Sequence, residues 1–345
     1  MSWYGAWELP TAGSLNYKPF TLKAALELAS PPSLVASIGP CCIAGALAVC
    51  CAVVYAFLPA GEQGYTILSS LAVTLDARSA LCWVLMLLCA TLMQSATNTL
   101  NDYHDFKSGL DTAETILDET DASIVYNQIN PRAALVFAVV LLAIAAVLGV
   151  IVSLLTSWVL LVLGLVSAAV VVLYSAGPRP ISSLPLGEAV SGIVLGGVLA
   201  SAAFYATTQS FSLVVLALVL VPTVSIAQIM QTNNTCDIDR DLMAGRKTMP
   251  GRIGQKRSAI LNAALSWVAF LWLALVLLWA HLYAGLIIVL AGLIICLSKI
   301  NRLLKGPYDL ANRRVMMGTV ISYNRWLSAS TIVALLLGGA ISAIA

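Results

Sequence analysis

The chain has 345 residues, of which 60% are hydrophobic and only 10% are charged, and its formal net charge is +2. A soluble globular domain carries about 25% charged residues, so the composition excludes that class and predicts a polytopic membrane protein. The small net charge gives no reason to expect a nucleic-acid partner.

The first 33 residues contain no apolar run long enough to cross a membrane. Trp3, Tyr4 and Trp7 are aromatic residues of the kind that lie at membrane–water interfaces. No basic stretch followed by a short apolar core is present, so no cleavable signal peptide is expected. We therefore predict an N-terminal interfacial segment over residues 1–33 and a membrane domain over residues 34–345.

Nine apolar segments then follow, each near the ~20 residues that a membrane-spanning helix needs. They cover residues 34–58, 81–100, 133–155, 159–174, 186–205, 213–230, 259–280, 282–297 and 326–345. This pattern predicts an all-α fold, a polytopic membrane protein with nine transmembrane helices around a central cavity. Seven of the eight cysteines lie in or beside these segments, where they are interpreted as small packing residues, and no disulfide is expected.

The basic residues favour one orientation of the nine helices. With the N-terminus in the cytoplasm, 17 of the 18 Lys and Arg residues fall inside and only Arg78 falls outside. We expect an integral protein of a bacterial cell membrane, surrounded by lipids, with its active-site loops in the cytoplasm. Arg313 and Arg314 are predicted to contact lipid headgroups, with contacts to the cavity as the alternative.

A first acidic cluster, NTLNDYHDFKSGLD, closes the second predicted helix. Asn98, Asp102 and Asp105 fall on one stripe, with Asn101 alongside, because helix residues three and four apart share a face. Asp111 follows a glycine turn and either swings back to this stripe or stays on the surface.

A second cluster, NNTCDIDRDLMAGRKT, closes the sixth predicted helix. Asp237 and Asp241 are four residues apart and follow Asn233 and Asn234 by one turn. Asp239 points off that stripe, toward either a supporting position or the surface.

Both clusters carry the ligand types of a metal–polyphosphate site. Mg²⁺ prefers oxygen ligands, takes one or two carboxylates and usually shares itself with substrate phosphates. Asparagine amides can contact phosphate, and Arg246 and Lys247 are suited to a bound diphosphate. A solvated acidic loop is the simpler interpretation, but ionisable residues that directly follow apolar helices are usually functional. A cation transporter is a further alternative, disfavoured because both clusters lie at one face.

Specific motifs then point to a known family. The chain carries Asn-Asp-x-x-Asp followed by Lys-x-Gly-x-Asp, and later Asp-x-x-x-Asp-x-x-x-Gly-x-Lys-Thr. These motifs resemble those of the UbiA superfamily of intramembrane aromatic prenyltransferases, whose nine helices also match. Tyr-Ser-x-Gly-Pro-x-Pro at 174–180 and Leu-Gly-Glu at 186–188 are similar to the branch that prenylates 1,4-dihydroxy-2-naphthoate in menaquinone synthesis.

The resemblance implies Mg²⁺-dependent transfer of a polyprenyl group from polyprenyl diphosphate to an aromatic acceptor, with 1,4-dihydroxy-2-naphthoate giving demethylmenaquinone. Another quinone precursor, a tetrapyrrole or a lipid alcohol is the alternative acceptor, and no obligate protein partner is expected. The implied catalytic metal ligands are Asp102, Asp105, Asp237 and Asp241. The implied substrate contacts are Asn98, Asn101, Lys107, Asp111, Tyr174, Asn233, Asn234, Arg246 and Lys247.

Two regions depart from the family pattern. Ser30-Pro31 stands where the family often has Arg-Pro, and residues 112–130 hold four acids and no basic residue where an arginine is common. The way the diphosphate is held is therefore open. Glu188 either caps the start of the fifth helix or lines the acceptor cavity. Tyr174 is either an interfacial aromatic residue or an acceptor contact.

Overall fold

The computed structural model describes residues 17–57, 67–109, 123–175, 177 and 179–344. Within these ranges, nine helical spans are long and apolar enough to cross a membrane. They are Pro31–Phe57, Ala77–Lys107, Pro131–Leu155, Trp158–Ser175, Gly187–Thr208, Leu213–Cys236, Gln255–Trp279, Gly285–Lys305 and Leu310–Ser342. The prediction of an all-helical membrane protein with nine spans is confirmed.

The helices are numbered in chain order. They are α1 (Leu22–Ala29), α2 (Val35–Phe57), α3 (Ala77–Ser108), α4 (Ser123–Tyr126), α5 (Pro131–Leu155), α6 (Trp158–Ser175), α7 (Gly187–Ser191), α8 (Leu199–Thr208), α9 (Leu213–Cys236), α10 (Ile238–Met243), α11 (Met249–Ile253), α12 (Gln255–Trp279), α13 (Gly285–Lys305) and α14 (Arg313–Ser342). A π-helical segment, Gly192–Val198, joins α7 and α8 into one continuous span.

Four helices extend at least six residues beyond their predicted apolar segments at the end that carries the acidic clusters, and one of them is α13, which runs past residue 297 to Lys305. Helix α3 runs past residue 100 to Ser108, so most of the first cluster lies on the helix itself. Helix α9 runs past residue 230 to Cys236, and α14 begins at Arg313 rather than at residue 326. Hydropathy misses these turns because it reports apolar composition, whereas polar residues on an interior helix face are equally helical.

A close backbone contact holds the fifth span against α9. A Cβ atom added to Gly196 would lie 2.4 Å from both the N and Cα atoms of Thr223. Only glycine therefore allows the two backbones to approach so closely. Pro222 precedes Thr223 inside α9 and removes one hydrogen-bond donor from that helix. This contact sets the position of α9, whose last turn carries the second cluster.

The short helix α1 packs against α3 and has one buried and one exposed side. Leu28 is fully buried, whereas Leu22 and Leu26 are exposed. Exposed leucines on an amphipathic helix are typical of a membrane–water interface. Residues 1–16 of the predicted interfacial segment lie outside the described residues, so its division from the membrane domain at residue 33 stays a prediction.

All eight cysteines are free thiols, as predicted. All eight lie within the candidate spans, and Cys236 is the last residue of α9. They act as small packing residues in the bundle.

Candidate active site

The second acidic cluster lies at a break between two helices. Helix α9 ends at Cys236, and Asp237 has a non-helical ψ of 11° before α10 begins at Ile238. The Asp241 amide still donates to the Asp237 carbonyl at 2.8 Å, so the turn continues through the break. Asp237 and Asp241 are only 6% and 2% exposed, which makes them buried carboxylates that need charged or polar partners.

Arg313, the first residue of α14, supplies one of those partners. Its Nε atom lies 3.0 Å from Oδ1 and 3.2 Å from Oδ2 of Asp237. Its second terminal nitrogen donates to Oδ1 of Asn233 at 2.7 Å. The prediction that Arg313 contacts lipid headgroups is therefore wrong, because α14 begins early enough to bring this side chain to the cluster. Arg314, the next residue, is exposed.

Arg246 is the corresponding partner of Asp241. Its Nη1 atom lies 3.3 Å from Oδ1 of Asp241, and its backbone amide donates to the Asp241 carbonyl at 2.8 Å. Thr248 donates its hydroxyl to Oδ2 of the same carboxylate at 3.3 Å. Burial raises the pKa of Asp241 to about 6, although the Arg246 guanidinium acts in the opposite direction. Each buried aspartate of the second cluster is therefore paired with an arginine: Asp237 with Arg313 of α14, and Asp241 with Arg246 of the turn after α10.

The tight turn after α10 exposes Lys247 while fixing its backbone. Gly245 has a φ of +72°, a conformation that favours glycine. The Lys247 amide donates to the Ser183 carbonyl at 2.9 Å, and Arg246 Nη2 reaches the Ser182 carbonyl at 3.3 Å. The Lys247 side chain is exposed beside this turn. The loop before α7 thus holds the basic turn in place.

The first cluster lies on the last two turns of α3. Asp102 and Asp105 are half-buried, and Lys107 is exposed. Asn101 donates to Oδ2 of Asp105 at 3.0 Å, one helical turn away. Asp111 lies outside the described residues. The first cluster is therefore more open to solvent than the second.

Asn98, one turn earlier on α3, is held by bonds within the protein. Its side-chain amide donates to the Ala29 carbonyl at 2.9 Å and to the Ser33 hydroxyl at 2.8 Å. Its carbonyl oxygen accepts from Gln94 at 3.2 Å. Asn98 thereby fastens the turn after α1 to α3.

Two adjacent residues at the end of α6 connect the two clusters. Ser175 donates to Oδ1 of Asn101, on the first cluster, at 3.4 Å. The Tyr174 hydroxyl is buried and close enough to Glu188, Asp241 and Arg246 to be influenced by their charges. Tyr174 therefore lies inside the site rather than at a membrane surface.

Glu188 bridges elements rather than capping its own helix. Its Oε1 atom accepts from Asn234 Nδ2 at 2.8 Å and from the backbone amide of Met249 at 3.2 Å. Both partners belong to the second cluster and the segment that follows it. Of the two sequence interpretations, this arrangement favours the one in which Glu188 lines the site.

An apolar cavity of about 730 Å³, including its opening, ends one helical turn before the first cluster along α3. It lies between α3, α5, α6 and the α7–α8 span, and Gln94, Thr97 and Ser167 are its polar lining residues apart from one cysteine. Along α3 the lining runs from Met86 to Thr97, which is roughly 16 Å of helix. Asn101 follows Thr97 on the same face one turn later. A long apolar group can therefore lie in the membrane with a polar end at the acidic clusters.

The arrangement suits an anionic ligand bound through metal ions. Within the described ranges, no three His, Cys, Asp or Glu residues converge as a ready-made metal site. Pairs of carboxylates that need further oxygen ligands match Mg²⁺, which usually completes its shell with water and substrate phosphates. Sequence reasoning missed Arg313 because it lies 76 residues from Asp237, and no local spacing signals that contact.

Comparison with known proteins gives one family. The model of the UbiA prenyltransferase family matches residues 64–320. The 1,4-dihydroxy-2-naphthoate octaprenyltransferase of Bacillus subtilis is 36% identical over 192 residues, which are 56% of this chain and 61% of that protein. The protein of the same name from Mycobacterium tuberculosis is 27% identical over 187 residues, 54% of this chain and 63% of that protein. The matched region spans less than two thirds of the length of these curated relatives.

A solved structure shares the fold. A UbiA homolog from Archaeoglobus fulgidus, bound to GPP and Mg²⁺, superposes with a TM-score of 0.59 and 18% sequence identity. The superposition covers 90% of this chain and 99% of that one. At this identity the likeness concerns the fold alone.

Proposed function

This chain belongs to the UbiA prenyltransferase family, and on that premise we propose that it transfers a polyprenyl group from polyprenyl diphosphate to an aromatic acceptor. We propose 1,4-dihydroxy-2-naphthoate as the acceptor and demethylmenaquinone, formed in its reduced quinol state, as the product. Support for this acceptor comes from relatives of that name, the first 36% identical. The proposal rests on two buried, arginine-paired aspartates and on an apolar cavity whose lining on α3 ends one helical turn before Asn101 of the first cluster.

Mg²⁺ is the proposed cofactor. Asp102 and Asp105 would hold it at the first cluster, and Asp237 and Asp241 at the second. The donor set supports this assignment because each cluster offers carboxylate oxygens and, within the described residues, leaves positions in the Mg²⁺ shell for water and phosphate oxygens. When bound, the metal neutralises charge that develops on the leaving diphosphate.

The arginines of the second cluster address how the diphosphate is held. Arg246 and Arg313 each form an ion pair with a proposed metal ligand, Asp241 and Asp237 respectively. A guanidinium can also bind phosphate oxygens through two parallel hydrogen bonds. As the C–O bond of the donor breaks, these cations stabilise the negative charge left on the diphosphate. Lys107 and Lys247 are exposed at the same end and supply further positive charge. In this proposal Arg313 supplies the guanidinium for the diphosphate, since residues 112–130 contain no arginine.

The remaining substrate contacts have separate tasks. Asn101 and Asn233 hold Asp105 and Asp237 through side-chain hydrogen bonds of 3.0 and 3.3 Å. Asn98 positions the N-terminal turn, and Asn234 positions Glu188. The apolar cavity receives the prenyl chain, and its lining excludes water from the allylic carbon.

The protein is an integral membrane protein with nine candidate spans in the described residues. We propose that residues 34–345 form one membrane domain behind an interfacial segment at residues 1–33. The Lys and Arg distribution supports a cytoplasmic active site, and we propose a bacterial cell membrane as the location. Lipids are then its surroundings, and prenyl diphosphate and the aromatic acceptor are its substrates.

The test is a transfer assay with purified protein, an all-trans polyprenyl diphosphate, Mg²⁺ and 1,4-dihydroxy-2-naphthoate, with products identified by mass spectrometry. We expect a prenylated product that EDTA abolishes. Asp102→Ala and Asp237→Ala should each lower the rate about a hundredfold or more while the protein stays monodisperse. The exposed Asp239, replaced by Asn, is the matched control. If a parallel panel shows transfer only to a different acceptor, that compound takes the place of the naphthoate in the proposal. Transfer that EDTA does not inhibit would show that the reaction does not need Mg²⁺.

A further inference from the structure

Oε2 of Glu188 and the hydroxyl of Tyr174 are among the buried polar atoms of the site that have no hydrogen-bond partner in the described residues; Nε of Arg246 and Oε1 of Gln94 are others. Glu188 is only 6% exposed. A buried carboxylate oxygen without a partner is costly, because transfer from water removes hydrogen bonds that nothing replaces. Such an atom is expected where a ligand supplies the missing bond.

Tyr174 and Glu188 lie on two of the helices that line the apolar cavity, beyond its lining residues. On α6 the cavity lining includes Ser167 and Val171, and Tyr174 follows three residues later on the same face. On the fifth span the lining includes Leu195, and Glu188 precedes it by seven residues, about two turns closer to the clusters. The two side chains thus lie one to two helical turns beyond the cavity lining, toward the acidic clusters.

The orientation of Glu188 is fixed by its other oxygen. Oε1 accepts from Asn234 and from the Met249 amide, so Oε2 has a defined direction. A carboxylate repels the diphosphate unless a metal lies between them, and Glu188 belongs to neither proposed metal pair. The matching ligand is a neutral hydrogen-bond donor, and a ring hydroxyl of an electron-rich aromatic acceptor has this chemistry.

We propose that Glu188 and Tyr174 form the acceptor-hydroxyl site, with Glu188 as the catalytic base; this rests on the proposed function. The ring carbon next to the hydroxyl-bearing carbon forms a bond to C1 of the prenyl group. The C1–O bond breaks, and its electron pair leaves with the diphosphate. The hydroxyl proton passes to Oε2 of Glu188, while the Tyr174 hydroxyl donates to the same ring oxygen.

The ring is then restored with atoms and electrons in balance. The alkylated ring carbon loses the group it carried: a carboxylate leaves as carbon dioxide, or a proton passes to an oxygen of the departed diphosphate. The electron pair of that bond returns to the ring, and Glu188 returns its proton to the ring oxygen. No oxidant or further reactant is needed.

Glu188→Gln tests the base because it retains an oxygen for Asn234 and Met249 but cannot take a proton. We expect kcat to fall about 10²- to 10⁴-fold. Binding of a non-reactive prenyl thiolodiphosphate with Mg²⁺ should stay within about twofold, which shows that the fold and the donor site are intact. Tyr174→Phe should chiefly raise the KM for the acceptor, about tenfold, because it loses one hydrogen bond. Asp239→Asn is again the control.

The outcomes separate this inference from the proposed function. A Glu188→Gln variant with kcat within threefold of wild type would refute the role of Glu188 as the base. If thiolodiphosphate binding falls as much as kcat does, Glu188 has a structural role instead. If the wild type prenylates no aromatic acceptor, the proposed function fails. The hydroxyl-binding site is then tested separately, by measuring the binding of an aromatic probe. A 1-naphthol probe should bind wild type about tenfold more tightly than its methyl ether. Equal binding of the two compounds, or no loss in Glu188→Gln, would refute the site.

Discussion

Replacing Arg313 with glutamine should have opposite effects on metal binding and on donor binding. In the structure this guanidinium contacts both carboxylate oxygens of Asp237, at 3.0 and 3.2 Å, and Oδ1 of Asn233 at 2.7 Å. A metal ion that binds Asp237 before the diphosphate arrives must displace these contacts. The diphosphate then offers Arg313 new anionic oxygens, so the arginine couples the two ligands.

The magnitude follows from the contacts. A hydrogen bond to a charged group contributes about 1.5–3 kcal/mol, and the side chains of Arg313 and Asp237 are 21% and 9% exposed, so water screens the pair only partly. Tenfold in affinity corresponds to about 1.4 kcal/mol. Arg313→Gln should therefore tighten Mn²⁺ binding without donor about tenfold, and should lower kcat/KM for the prenyl diphosphate about 10- to 100-fold.

The assays are Mn²⁺ titration by electron paramagnetic resonance in detergent, with and without a prenyl thiolodiphosphate, and steady-state transfer kinetics. Arg314→Gln, an equal charge change at the exposed neighbouring position, is the matched control. Arg313→Lys should fall between wild type and Arg313→Gln, because an ammonium keeps the charge but not the bidentate geometry. If both glutamine variants change metal affinity equally, or neither does, the contact with Asp237 has no part in coupling.

Two further predictions concern packing and the cavity. Gly164→Phe should lower kcat/KM for long prenyl donors about 10- to 100-fold while sparing geranyl diphosphate, because a Cβ there meets no atom within 4 Å and the ring enters the cavity. A competition assay with mixed donors measures this, with Val162→Phe at an exposed position as the control. An equal loss of kcat/KM for all donors would contradict the prediction. Gly196→Ala should destabilise the protein by about 1–3 kcal/mol because its Cβ overlaps the Thr223 backbone. Thermal unfolding in detergent measures this against Gly149→Ala, whose Cβ would lie 3.9 Å from its nearest neighbour, and equal stability of the two variants would be the contrary result.

Local features of the sequence were sufficient for the class of protein and for the two acidic clusters. Nine spans follow from apolar runs because crossing a membrane requires a minimum length of apolar helix. The pairs Asp102 with Asp105 and Asp237 with Asp241 follow from spacing, because residues three and four apart share a helix face whatever surrounds them. Even the break at Asp237 preserves this relation, since the Asp241 amide still bonds across it.

The distant contacts of the site depended on the tertiary structure, whereas Arg246 lies only five residues from its partner Asp241. Arg313 meets Asn233 across 80 residues of sequence, and Glu188 meets Asn234 across 46. No spacing rule reaches that far, because the meeting of distant segments depends on how helices pack, here through the Gly196–Thr223 contact and the early start of α14. The sequence by itself therefore determined where the acidic groups and membrane spans lie along the chain. Only the folded bundle decided which charges neutralise them and which oxygen of Glu188 is left for a ligand.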